Sequence, residues 1–114
     1  MLEERMRIIH LLDVYGPLLT EHQRKIMEDY YLEDLSLGEI AENGGTSRQA
    51  VHDVIKRVVR SLETYEEKLH LMERLRYISK MTAGAIENIS TGNTVRIEYG
   101  LNLLRKLQSE LEKE

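Results

Sequence analysis

The side chains best suited to chemistry are concentrated between Ser47 and Arg60. This stretch holds Ser47, Arg48, Gln49, His52, Lys56, Arg57 and Arg60. Placed on a helix, Arg48, Gln49, His52 and Lys56, with Asp53, fall opposite an apolar set of Val51, Val54, Ile55 and Val58. An arginine can grip guanine with two donors, a glutamine can pair with adenine, and basic side chains can neutralise phosphates and release counterions. The chemistry is recognition of nucleic acid. Arg48 and Gln49 are predicted to read bases, with His52 on the same face. Lys56, Arg57 and Arg60 are predicted to hold phosphates. Ser47 stands where such a helix would start, as its cap, with a backbone amide placed to meet a phosphate.

Other chemistries find no support. The chain has no Cys, which excludes a disulfide framework, a zinc finger and a thiol nucleophile. The four histidines, at 10, 22, 52 and 70, form no i, i+4 ligand pair, so no metal is expected. Glu3-Glu4 and Glu66-Glu67 are sequence neighbours, which do not face each other on a helix. Gly44-Gly45-Thr46-Ser47 lacks the lysine and the preceding strand of a nucleotide loop. The expectation is a non-enzyme with no cofactor and no small-molecule substrate.

Charge sharpens the first reading. Sixteen basic residues against twenty acidic ones give a net charge of −4 over 114 residues. The average hides a reversal. Residues 20–45 carry seven acids against Arg24 and Lys25, a net of −5, whereas residues 46–60 carry four bases against Asp53, a net of +3. The positive segment coincides with the candidate binding helix.

The elements that must position this face read as all-α. A first helix over residues 2–15 is stopped by Gly16-Pro17, with glycine free to take a left-handed cap. Thr20 and Gln23 form a capping box for a second helix, with Leu19 as its apolar staple. Ser36 and Glu39 form another for a short third helix, which Asn43-Gly44-Gly45 ends. Thr46 or Ser47 then caps a fourth. Two helices joined by a glycine turn make a helix-turn-helix, whose second helix enters the major groove. No Pro or Gly interrupts residues 48–81, so the fourth helix is expected to run well past Leu62. Residues 82–92 are small and polar and read as a weakening or turn before a last helix over 94–111. The expected organisation is a helix-turn-helix head over residues 1–62, with the recognition helix at about 47–60, and a C-terminal helical arm over 63–114. The arm carries an apolar seam of Leu62, Tyr65, Leu69, Met72, Ile97, Leu101 and Leu104. A lone helix cannot bury such a seam, so the last helix folds back or a second chain covers it. A homodimer is the expectation. No apolar run is long enough to span a membrane, and the acidic start lacks a cleavable apolar stretch, so a cytoplasmic protein is expected.

Two resemblances extend this reading. Residues 36–42, Ser-Leu-Gly-Glu-Ile-Ala-Glu, followed by Thr46-Ser47-Arg48-Gln49-Ala50-Val51, resemble region 4 of sigma-70-type factors, over about residues 20–62. More of the chain resembles the YlxM-like (UPF0122-type) family of small bacterial helix-turn-helix proteins. That likeness is carried by Ser47 to Asp53, Ile55-Lys56-Arg57, Tyr65 to Leu69, Leu19 to Gln23, Tyr30-Tyr31 and Asp34 to Leu37. It implies a DNA-binding regulator linked to the signal recognition particle pathway. Alternatives are an adaptor that docks components of that particle through the acidic second helix and the arm, or an accessory factor that binds its RNA through the same basic helix. The chain departs from the sigma pattern at Ala50, His52 and Asp53, which stand where sigma factors place Arg, Arg and Gln. Two positive charges are lost and one negative charge is gained, which lowers attraction to phosphate, though an aspartate can accept from a cytosine amino group. Gly44, Gly45 and Thr46 also replace apolar residues usual in the turn, so the turn packs less apolar area.

Overall fold

A computed structural model describes residues 1–113. Among them the regular structure is all-α, with six helices and no strand. The helices are α1 (Leu2–Tyr15), α2 (Glu21–Tyr31), α3 (Leu37–Gly44), α4 (Arg48–Leu69), α5 (Leu71–Ile89) and α6 (Thr94–Glu112), with a 3-10 turn at Gly16–Leu18. None is long and apolar enough to cross a membrane. The chain forms two compact units, Met1–Met72 and Glu73–Glu114.

In the first unit α4 packs against α1, α2 and α3. It buries Val51, Ile55, Val58 and Leu62 on one stripe, spaced at three and four residues. Against them lie Ile8, Leu11, Leu12 and Tyr15 of α1, Ile26 and Met27 of α2, and Ile40 and Ala41 of α3. Leu11, Met27 and Leu62 are wholly buried. Each such side chain contributes about 1.5–3 kcal/mol relative to exposure.

Local sequence rules hold best at the helix starts. Gln23 N donates to Thr20 Oγ1 (3.1 Å) and Thr20 N to Gln23 Oε1 (3.0 Å). Glu39 N donates to Ser36 Oγ and Ser36 N to Glu39 Oε1, both at 3.1 Å. Both capping boxes are complete. The end of α1 differs in detail. Gly16 is right-handed (φ −50°, ψ −40°) and opens the 3-10 turn with Pro17. A Cβ there would make ordinary contact with the Arg24 guanidinium at 3.5 Å.

The fourth helix does not run on through residue 81. It ends at Leu69, and His70 turns the chain in the left-handed region (φ 52°). The cause is tertiary. The Tyr15 hydroxyl on α1 accepts from Leu71 N (3.1 Å) and donates to Glu66 Oε1 (2.6 Å), which also accepts from Met72 N (2.8 Å). A phenol and a buried carboxylate thus accept amides of the first turn of α5. Burial, then the hydrogen bond to Glu66, raises the Tyr15 phenol above its ordinary pKa. Leu62 and Met72 therefore belong to the core of the first unit, not to an intermolecular seam, and Tyr65 is half-buried against that core. The compact unit correspondingly extends past residue 62 to Met72.

The second unit is a helical hairpin. Residues 82–89 remain helical, and the break narrows to residues 90–93. Gly92 takes φ 73° and Asn93 Oδ1 caps α6 by accepting from Arg96 N (3.1 Å). The small residues mark contact between helices. Ala85 is wholly buried, and a Cβ on Gly100 would lie 2.8 Å from Ile89 Cγ1 and 2.9 Å from the Ala85 carbonyl oxygen.

Candidate nucleic-acid interface

The turn that delivers the binding helix is built from backbone hydrogen bonds. Gly45 N donates to the Glu42 carbonyl (3.3 Å) and Thr46 N to the Ala41 carbonyl (3.0 Å). This is the Schellman arrangement, and it needs the left-handed residue that Gly45 (φ 63°) supplies. Ser47 then opens α4, its Oγ accepting from Ala50 N at 3.1 Å. Of the two candidate caps, Ser47 is the one used.

All seven side chains expected to contact nucleic acid, Ser47, Arg48, Gln49, His52, Lys56, Arg57 and Arg60, are exposed. They lie on one helix whose other side is core, so its rigid packing fixes their spacing. Among the described residues, Arg48, Lys56, Arg57 and Arg60 make no side-chain hydrogen bond or ion pair, so four cations face solvent uncompensated. Arg48 lies back along the start of α3, where a Cβ on Gly38 would sit 3.8 Å from its Cδ and Nε.

Gln49 and Asp53 are not independent. Gln49 Nε2 donates to Asp53 Oδ1 at 2.9 Å, one turn apart. His52 Nδ1 lies 3.7 Å from the same oxygen. Asp53, expected on this face but not among the seven contact residues, is held there by Gln49. The Gln-to-Asp spacing of four is the signal for that pairing.

The acidic segment is partly neutralised within the first unit. Lys25 pairs with Asp29 (3.0 Å) and Arg24 with Glu28 (3.7 Å). Arg5 of α1 donates to the Tyr30 and Tyr31 carbonyls (3.1 and 3.0 Å) and to Asp34 (3.2 Å), at the C-terminal end of α2 where a cation is favoured. Backbone and hydroxyl hydrogen bonds at Ser36 hold the Glu39 carboxyl below its usual pKa. Arg7 of α1 grips Glu63 of α4 with two hydrogen bonds of 2.8 and 2.7 Å. The hydrogen bond from Arg7 likewise lowers the Glu63 pKa. No local pattern announces this pair, whose members lie 56 residues apart.

Of the expected seam residues outside the first unit's core, Leu69 and Leu104 are exposed, whereas Ile97 and Leu101 are half-buried. Val95, Tyr99, Ile86 and Leu111 are also exposed.

Comparison with known proteins agrees with this architecture. Residues 2–109 match the family described as "UPF0122: Putative helix-turn-helix protein, YlxM / p13 like". A UPF0122 protein of Clostridium kluyveri (strain ATCC 8527) is 52% identical over 90 residues, covering 79% of this chain and 81% of its own. One from Clostridium botulinum (strain Alaska E43) is 42% identical over 108 residues, covering 95% and 99%. One from Bacillus cereus (strain AH187) is 48% identical over 98 residues, covering 86% and 89%. With helices arranged as a helix-turn-helix and a family match along nearly its whole length, the chain belongs to the UPF0122 family.

Proposed function

We infer that this protein is a non-enzymatic regulator that binds duplex DNA by laying the N-terminal half of α4 in the major groove. One observation carries the reading: Arg48, Lys56, Arg57 and Arg60 stand exposed and unpaired on a helix whose opposite face is core. Helix-turn-helix proteins read base edges with the first two turns of such a helix and hold the backbone with flanking groups. Arg48, Gln49 and His52 face the bases in this reading. Lys56, Arg57 and Arg60 hold phosphates, and the Ser47 amide meets another. The protein acts in the cytoplasm as a homodimer, so that two recognition helices meet two half-sites. The exposed Leu69, Val95, Tyr99 and Leu104 support a second copy as partner.

The test is a salt titration of binding to duplex DNA, structured RNA and protein components of the signal recognition particle, repeated with Arg48→Ala/Lys56→Ala. Affinity for duplex DNA that falls steeply with salt and is lost in the variant supports the reading. Undetectable DNA binding at low salt, or a variant that binds equally well, overturns it. Preferential binding to RNA or to the pathway proteins favours the accessory or adaptor role instead. For the dimer, a single 13.3 kDa species in sedimentation at micromolar concentration is the contrary result.

A further inference from the structure

We propose that Asp53 is the residue by which α4 selects a base, and that the base is cytosine. The inference rests on the DNA reading above and goes beyond it, because an acid on a phosphate-seeking helix needs a reason.

A structural reason would be charge compensation. Asp53 lies three residues before Lys56 and four before Arg57, the spacings at which an acid and a base pair on a helix. It pairs with neither. Its Oδ1 turns toward the N-terminus of α4 and takes the hydrogen bond from Gln49, with His52 Nδ1 3.7 Å from the same oxygen, within ion-pair distance. The side chain is 57% exposed. The carboxylate is therefore oriented by Gln49 and left unpaired by Lys56 and Arg57. Its Oδ2 has no partner among the described residues.

Position adds a second argument. Asp53 is the sixth residue of α4, within the two turns that enter a groove. With one Gln49 N–H spent on Oδ1, the outward array is rich in acceptors: Asp53 Oδ2 and Gln49 Oε1. Only amino groups can satisfy acceptors in the major groove, and only cytosine and adenine carry them there. Adenine sets the N7 acceptor beside its amino group, which opposes a carboxylate. Cytosine carries no acceptor of its own beside N4, the nearest being the O6 of its paired guanine. Guanine and thymine offer acceptors that repel Asp53. The same charge lowers affinity for any backbone, so it exchanges non-specific binding for selectivity.

The experiment is enrichment of sequences from a randomised duplex DNA library at low salt with the wild-type protein, Asp53→Asn and Arg48→Ala/Lys56→Ala. Circular dichroism of each variant verifies the fold. An Asn presents one acceptor and one donor, the complement of adenine N7 and N6. The expected result is one position that is cytosine for the wild type and adenine for D53N, with the other positions unchanged. Discrimination at that position should be roughly tenfold, within a range of about five- to a hundredfold. Non-specific binding by D53N should lose up to about threefold more affinity than the wild type between 50 and 200 mM salt, as one added net positive charge implies. If the wild type enriches sequences and D53N enriches the same base everywhere, the assignment of Asp53 fails while the DNA reading stands. If the wild type enriches nothing, or the double variant enriches as well as the wild type, both fail together.

Discussion

Tyr15 and Glu66 show how much one side chain can decide. Together they accept the first amides of α5 and allow α4 to stop at a histidine. Removing either partner leaves buried polar groups unsatisfied, at about 1–3 kcal/mol for each group. Glu66→Ala should therefore destabilise the first unit by about 2–3 kcal/mol and Tyr15→Phe by about 1–2 kcal/mol in urea unfolding. Losses below about 0.5 kcal/mol in both would mean that the joint is held by something else. At this scale the sequence is half legible. Ser36 with Glu39, and Thr20 with Gln23, could be read because donor and acceptor lie three residues apart. The stop at His70 could not be read, because its cause sits on α1. The exposed face of α4 followed from periodicity. The orientation of Asp53 toward Gln49, away from Arg57, did not, because both pairings have the same spacing.

Between elements, contact surfaces depend on small residues and long-range pairs. Gly100→Ala would push a methyl against Ile89 and the Ala85 carbonyl. Overpacking of this kind costs about 1–3 kcal/mol, only partly offset by the roughly 1 kcal/mol gain in helix propensity. Hydrogen exchange should report loosened α5 and α6 amides in that variant, with the first unit unaffected. Unchanged protection would contradict the close approach. The Arg7–Glu63 tie between α1 and α4 predicts a pH effect. Because the Glu63 pKa is lowered in the folded chain, its stabilisation is present above the ordinary carboxylate range and is lost as pH falls through the depressed value. Both side chains are over two-fifths exposed, so the effect is below about 1 kcal/mol. Arg7→Ala should flatten the acid side of the stability profile, and a profile identical to wild type would refute the tie. Gly84 and Ala85 explain why residues 82–92 read as a weakening: a Cβ on Gly84 would lie 3.6 Å from Leu103 Cδ1, and Ala85 is wholly buried. Small residues signal a turn and a close helix contact equally well, and only the fold separates the two.

At the scale of the whole molecule, charge is arranged against its own average. A net charge of −4 predicts weak attachment to polyanions, yet residues 46–60 carry +3 and present it on one helix. With three or four phosphates held, the logarithm of affinity should fall with the logarithm of salt at a slope of roughly −3. A slope near zero would place binding on apolar contacts instead. The all-α class and the helix-turn-helix were legible because α4 carries one unbroken apolar stripe. The extent of the first unit was not, because its last core residue, Met72, belongs to the next helix. That same arrangement has a consequence in time. A helix's opening amides ordinarily exchange with solvent quickly, since any brief fraying exposes them. Here the acceptor for Leu71 arrives only once α1 has docked beside α4, a closure spanning 56 residues of chain, whereas Met72 finds its acceptor, Glu66, six residues away on α4. The Leu71 amide should therefore exchange as slowly as the deepest protons of the first unit, and should gain that protection only when α1 docks on α4 during refolding.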